Sequence, residues 1–165
     1  MASMPDDVEI RELAGLAEIA TAYPLIQQLN PEVDEALFAT RLAAMLHEGG
    51  YRCIAAYRDG QMLGVAGFWV GTQLWCGTYV EPDNVVVDRA LRGGGIGALM
   101  MAWIQAEGER LGCEIMKLEA YAQRTRTRKF YRREGYEEPG VVMVKTLPKG
   151  AQTLAAIRSK NAEAS

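Results

Sequence analysis

The spacing of apolar residues changes several times along the chain, and each change marks an element. From Val8 to Leu13 apolar and charged residues alternate, the pattern of a short strand. Leu16, Ile19, Ala20 and Tyr23 then recur at helical spacing until Pro24, which kinks or ends that helix. Asn30-Pro31 breaks the chain. A second helix from about Asp34 to His47 carries Leu37, Phe38, Leu42, Met45 and Leu46 on one side, and Gly49-Gly50 stops it. Tyr51 to Tyr57 and Met62 to Val70 flank Asp59-Gly60, a two-residue hairpin signal. Leu74 to Tyr79 reads as a further strand, and Val85-Val86-Val87 as a buried central one, because β-branched residues suit a covered pleat. Ile96, Leu99, Met100, Trp103, Ile104 and Leu111 follow a helical stripe that Gly112 ends. Ile115 to Ala120, Arg124 to Glu134 and Val141 to Leu147 complete the pattern as strand, helix and strand. From Pro148 to Ser165 runs a polar tail with a short helix expected around Leu154 to Ile157. Neither an internal repeat nor a low-complexity linker interrupts this order, which is that of an α+β domain on a mixed sheet.

Composition narrows the class. The 165 residues suffice for one domain with a real core, and 49% apolar with 24% charged residues is the balance of a globular protein. No apolar run reaches the 18 residues of a membrane span. MASMPDDVEI has neither a basic start nor a hydrophobic segment, so the expectation is a cytoplasmic protein without membrane partners. Cys53, Cys76 and Cys113 are widely spaced and odd in number, and read as reduced, buried thiols. The single histidine, His47, excludes a His-rich metal site, and no metal is expected. His47 stands where a cation favours a helix C-terminus, which is the better reading of it. A net charge of −3 gives no global attraction to nucleic acid. Locally, Arg124, Arg126, Arg128, Lys129, Arg132 and Arg133 place six basic groups in ten residues, by themselves a solvated helix face.

The four glycines in VVVDRALRGGGIGALM raise the functional question. Glycines between a strand and a helix expose amides at the positive end of the helix dipole, a place that binds phosphate. A plain turn needs fewer. A Walker A loop is excluded, since no Lys-Ser or Lys-Thr pair follows. A dinucleotide fingerprint matches formally at Gly93, Gly95 and Ala98 with Glu119 as ribose partner. Against it, Asp88-Arg89-Ala90-Leu91-Arg92 separates the strand from the first glycine.

Arg92-Gly93-Gly94-Gly95-Ile96-Gly97 resembles the Q/R-x-x-G-x-G/A signature of the GNAT superfamily of acetyl-CoA-dependent N-acetyltransferases. Further on, QRTRTRKFYRREGYEE resembles a second family segment, with Tyr131, Gly135 and Tyr136 at its Tyr, Gly and terminal aromatic. Tyr23 to Tyr51 is similar to the two-helix start of small bacterial members, so the likeness covers roughly residues 8 to 147. Arg124 stands where many members have asparagine. The resemblance implies a mixed, mostly antiparallel sheet of six to seven strands flanked by about four helices, in one domain over residues 1–147. Residues 148–165 would then be a tail.

For chemistry, the resemblance implies acetyl-CoA as cosubstrate and direct attack by the amine of a small molecule, peptide or protein in a ternary complex. The pyrophosphate of coenzyme A would lie on the amides of Gly93 to Ala98 beside Arg92. The backbone of Val85, Val86 and Val87 would pair with the pantetheine arm. Arg126, Lys129, Phe130 and Arg133 would help hold the nucleotide end. Tyr131 is the candidate general acid for the departing thiolate; without the resemblance it reads as a core aromatic beside Phe130. Glu81 and then Asp83 are the candidate bases, although Glu81-Pro82-Asp83-Asn84 reads equally as a turn. The helices before Tyr51 and the segment from Gly71 to Asn84 would shape the acceptor pocket, where Trp75, Tyr79 and Glu81 suit a cationic or aromatic amine. A homodimer is expected by family analogy alone. Two alternatives stay open from these residues: a nicotinamide-nucleotide oxidoreductase, and a non-catalytic acetyl-CoA-binding module.

Overall fold

A computed structural model describes residues 7–120, 125–150, 153, 158 and 159. The first six residues, Arg124, the Arg126 side chain and the segment Leu154 to Ile157 lie outside the described residues. Contacts divide the chain after Lys117 into two compact units.

The first unit runs β1 (Glu9–Leu13), α1 (Gly15–Ala20), α2 (Tyr23–Leu29), α3 (Glu35–Glu48), β2 (Tyr51–Arg58), β3 (Gln61–Gln73), β4 (Gly77–Val87), α4 (Ile96–Arg110) and β5 (Ile115–Met116). Its sheet has the order β1-β2-β3-β4-β5, antiparallel except for the parallel pair β4–β5. Local chemistry explains most boundaries. The Asp34 carboxylate caps α3 by accepting the Leu37 N–H at 2.8 Å, and His47 lies in the last turn of that helix before Gly49. Asp59 and Gly60 both have positive φ, 50° and 77°, which is what a tight hairpin turn asks of its two residues. The first helical stripe divides at Thr21-Ala22, and Pro24 does not end a helix but sits in the first turn of α2, where no N–H is required.

Two apolar cores sandwich the sheet. On one face, α1 to α3 cover Leu13, Cys53, Ala55, Val65 and Val86. On the other, Ile96, Met100 and Ile104 of α4 cover Ile54, Ala66, Phe68 and Val80. Gly108 allows the close approach of α4, since a Cβ there would lie 2.6 Å from Val80 Cγ1. Cys53 is fully buried, and burial pushes its thiol up to about 12, as expected of an inert core cysteine.

The described sheet has five strands, not six to seven, for two reasons. First, the expected strand at Leu74 to Tyr79 keeps only its end, from Gly77, which runs on through Val85 to Val87 as one continuous β4, and Glu81-Pro82-Asp83-Asn84 lies within it and forms no turn. Pro82 is tolerated there because of its edge. The Glu114 and Lys117 N–H groups donate to the Thr78 and Val80 carbonyls, so by alternation Pro82 points the same way, past the last rung with β5. Second, Val141 to Leu147 forms no strand: Val141 and Met143 are 86% and 91% exposed, and no neighbour pairs with that segment among the described residues. Strand Ile115 to Ala120 shortens to Ile115–Met116. Five α-helices are delimited among the described residues instead of about four, because the first stripe makes two.

The second unit contains α5 (Thr125–Arg133), within the span expected from Arg124 to Glu134. Gly135, with φ 89°, closes it: the Gly135 N–H donates to Arg132 O and the Tyr136 N–H to Tyr131 O. The Tyr131 ring meets Phe130 and Tyr136 edge-on, with centroids 5.3 and 5.4 Å away.

Candidate functional site

The glycine loop is built to leave amides bare. Asp88 ends β4 with its N–H on Leu63 O, and its carboxylate accepts the Ala90 N–H at 2.9 Å to start a short 3-10 turn, Arg89–Leu91. The Arg89 N–H donates to Gln28 Oε1, which fixes the turn to α2. Gly93 and Gly95 then take left-handed φ values of 91° and 78°. Gly95 is the N-cap of α4 and supplies no capping side chain, and the first turn of the helix holds no acid. The first intrahelical bond runs from the Leu99 N–H to Gly95 O, so the amides of Ile96, Gly97 and Ala98 point out of the helix end. A Cβ on Gly93 would meet nothing within 4 Å, and one on Gly97 only Val87 Cγ2 at 3.6 Å. The space before these amides is therefore open, and exposed Arg92 adds positive charge to it. An anion such as a pyrophosphate fits this helix end on charge and on room.

Beside the loop, one edge of β4 has no strand partner among the described residues beyond a short ladder. Its ladder with β5 covers only Tyr79↔Ile115 and Val80↔Met116. Against β3, Val65 pairs with Val86 and Gly67 with Asp83, so β4 carries one extra residue, a bulge at which Asn84 adopts φ 51°. The Asn30 side chain donates to Asn84 Oδ1 at 3.2 Å. Counting back from the Asp88–Leu63 bond, Val86 turns its N–H and C=O to β3, whereas Val85 and Val87 turn theirs to the open edge. Two of the three valines, rather than all three, present backbone there that has no partner among the described residues. Their side chains are core: Val86 is 3% exposed under the first helices, and Val85 and Val87 pack against the α4 cluster.

The two candidate carboxylates differ sharply. Glu81 is held by Lys117, whose ammonium is 2.8 Å from Oε2 and 4.2 Å above the Tyr79 ring. Asp83 has no cation among the described residues. Burial pushes its carboxyl above the ordinary range, and the Trp69 indole N–H, donating to Oδ2 at 3.3 Å, offsets part of that push. The Trp69 ring lies 5.0 Å from that of Tyr51. Trp75 stands apart from these groups, in the turn that joins β3 to β4, 68% exposed and bonded to Gln73. Tyr51, Trp69 and Lys117 are the participants that the sequence reading passed over. The signal that could have found them is Gly67 and Gly71, since glycine inside a strand marks a close approach.

In the second unit, Glu138 accepts from both Arg128 and Arg132, neither of which belongs to the expected anion set of Arg126, Lys129 and Arg133. Lys129 and Arg133 are exposed, Phe130 is half-buried, and burial raises the Tyr131 phenol, so that it stays protonated well past neutral pH.

Comparison with known proteins bears on the family and the fold. The model of the Acetyltransferase (GNAT) family matches residues 14–136. An aminoalkylphosphonate N-acetyltransferase of Salmonella typhimurium is 29% identical over 129 residues, 77% of this chain and 84% of that one. An aminoglycoside N-acetyltransferase solved with CoA superposes with a TM-score of 0.73 at 20% identity, covering 86% of this chain and 95% of its own. A glucosamine-6-phosphate N-acetyltransferase from Arabidopsis thaliana superposes at 0.66 and 19%, covering 85% and 98%. Among the described residues no helix is long and apolar enough to cross a membrane.

Proposed function

Since the chain belongs to the acetyltransferase (GNAT) family, an acyltransferase family with acetyl-CoA as cosubstrate, we propose that it acetylates a small-molecule amine by direct attack on the thioester. The family match sets the oxidoreductase reading aside. The observation that carries the proposal is the bare helix end of α4 beside the unpaired edge of β4. The amides of Gly93 to Ala98 and the Arg92 guanidinium hold the pyrophosphate of coenzyme A. The backbone of Val85 and Val87 binds the pantetheine arm at the open edge. Lys129 and Arg133, with the Arg126 and Phe130 of the sequence reading, serve the nucleotide end.

For the chemistry, the amine must lose a proton and the leaving thiolate must gain one. We place Asp83 ahead of Glu81 as the base. Glu81 is neutralised by Lys117, whereas a buried carboxylate with a raised pKa accepts a proton near neutral pH more readily. Tyr131 is the acid. A thiol of pKa roughly 8.5 leaves as a weaker base than phenolate, of pKa about 10, yet a phenol can still share its proton with the developing thiolate. The amines named for the relatives, aminoalkylphosphonates and aminoglycosides, are both small molecules.

The test is thermal unfolding with acetyl-CoA, CoA or NADH in large excess, followed by thiol release with an amine panel. Ligand at a hundred times its Kd stabilises by about 2.7 kcal/mol, a rise of roughly 5 to 10 °C at this size. Acetyl-CoA and CoA should raise the midpoint, and NADH should not. A rise with NADH alone would overturn the proposal. A rise with acetyl-CoA but no thiol release with any amine would leave a binding module.

A further inference from the structure

One face of β3 presents Gly67, Trp69 and Gly71 in alternation. The two glycines make room for tyrosines from the neighbouring strands. A Cβ on Gly67 would collide with the Tyr51 hydroxyl, and one on Gly71 would lie 2.7 Å from that of Tyr79. Tyr51, Trp69 and Tyr79 thus stand as an aromatic floor on one face of β2, β3 and β4, with the Tyr51 and Trp69 rings 5.0 Å apart. Strand pairing puts Glu81 opposite Trp69 and Asp83 opposite Gly67, so both carboxylates stand on the same face as the rings.

This floor contains the same device twice. At Tyr79 and Glu81, a ring and a carboxylate hold an alkylammonium, and the ammonium is the chain's own Lys117. At Trp69 and Asp83 a ring and a carboxylate stand together, joined by the indole N–H, and among the described residues no cation is with them. Rings and carboxylates together favour organic cations. The charge of the floor, two carboxylates against one lysine, points the same way and opposes a second anion.

We propose that the acceptor is an alkyl- or arylalkylamine without an anionic group, which arrives as its ammonium ion over Trp69 and beside Asp83. This rests on the transfer reading above. The ammonium gives its proton to Asp83, and the freed nitrogen lone pair forms the new bond to the acetyl carbon. The carbon–sulfur bond breaks, and the thiolate takes the Tyr131 proton and leaves as the thiol. The second proton that nitrogen loses as the amide forms restores the phenol, and Asp83 releases its proton to solvent.

The test compares kcat/KM of the unmodified protein for a phenylalkylamine, a simple alkylamine and the same alkylamine bearing a terminal phosphonate. The first two should exceed the phosphonate by tenfold or more, and a phosphonate used as well as or better than they are would overturn the proposal. Trp69→Leu should raise KM for the phenylalkylamine about tenfold with a small change in kcat, and Trp69→Phe, which keeps a ring, should retain most of the preference. Equal preference in Trp69→Leu would also overturn it. Lys117→Gln vacates the first device, so a diamine should gain severalfold over a monoamine. If acetyl-CoA stabilises the protein but no amine discharges it, the transfer reading itself fails. If every amine is used equally, transfer stands and the class fails.

Discussion

The two faces of the sheet each hold a partly buried carboxylate, and the two are treated in opposite ways. On the α4 face, Glu107 is clamped by Arg52 at 2.6 Å and by Arg110 at 2.7 Å, and Arg52 in turn grips Glu12 and covers the Phe68 ring. The hydrogen bonds from Arg110 and Arg52 outweigh burial and hold the Glu107 carboxyl down at about 2. On the opposite face, Asp83 has only two neutral donors, the Trp69 indole N–H and the Asn84 backbone N–H, and burial keeps its carboxyl raised. A satisfied carboxylate fastens strands and helix together. One that burial leaves poised between its charged and neutral forms is suited to moving a proton.

The comparison breaks most visibly in activity. Asp83→Asn should lower kcat/KM by about 10²- to 10⁴-fold, the usual worth of a general base, with the thermal midpoint unchanged or higher. An unchanged rate in steady-state assays would move the base elsewhere. Tyr131→Phe should lower kcat by about 10- to 100-fold while acetyl-CoA affinity, measured by calorimetry, holds. Glu107→Gln should act on stability instead, lowering it by about 2 kcal/mol in denaturant unfolding with kcat nearly intact, because it removes charge-assisted bonds on the far face.

Acidity sharpens the same contrast. Glu107 has a folded pKa below its unfolded value, so its contribution is present above about pH 4.5 and is lost as pH falls toward about 2. Glu107→Gln should therefore flatten acid unfolding in that window. Asp83 is raised, so its ionisation opposes folding at neutral pH, and the acid limb of kcat/KM should lie above the ordinary carboxylate range of about 4. The smallest expected effect is in Trp69→Phe. Loss of the indole donor removes a bond to the charged form, and the limb should move to higher pH by a fraction of a unit.

Much of this was legible along the chain, and the gaps have physical causes. Asp34, Asp59-Gly60, Gly95 and the α4 stripe announce themselves because their reasons are local: a cap, a turn, a positive φ, a buried face. Pro82 misled because its fitness for a strand depends on where a ladder with β5 stops, 30 or more residues later in the chain. The Arg52–Glu107 pair spans 55 residues and has no local trace. Nothing beside Glu81 in the chain announces Lys117, which holds it from 36 residues away (117 − 81). The run Val141 to Leu147 has the composition of a strand, but pairing is a property of two segments and not of one.

The extra residue at Asn84 has a consequence best put as parity. Up to Asp83, odd-numbered residues of β4 hydrogen-bond to β3; from Val86 on, even-numbered ones do. The bulge is what preserves the facing beyond it. Were Asn84 paired as an ordinary rung, every position between it and the glycine loop would turn over, offering Val86 to the open edge and turning the groups of Val85 and Val87 to β3. A single left-handed residue thus separates a strand that can receive a ligand along its edge from one whose core and edge have traded places.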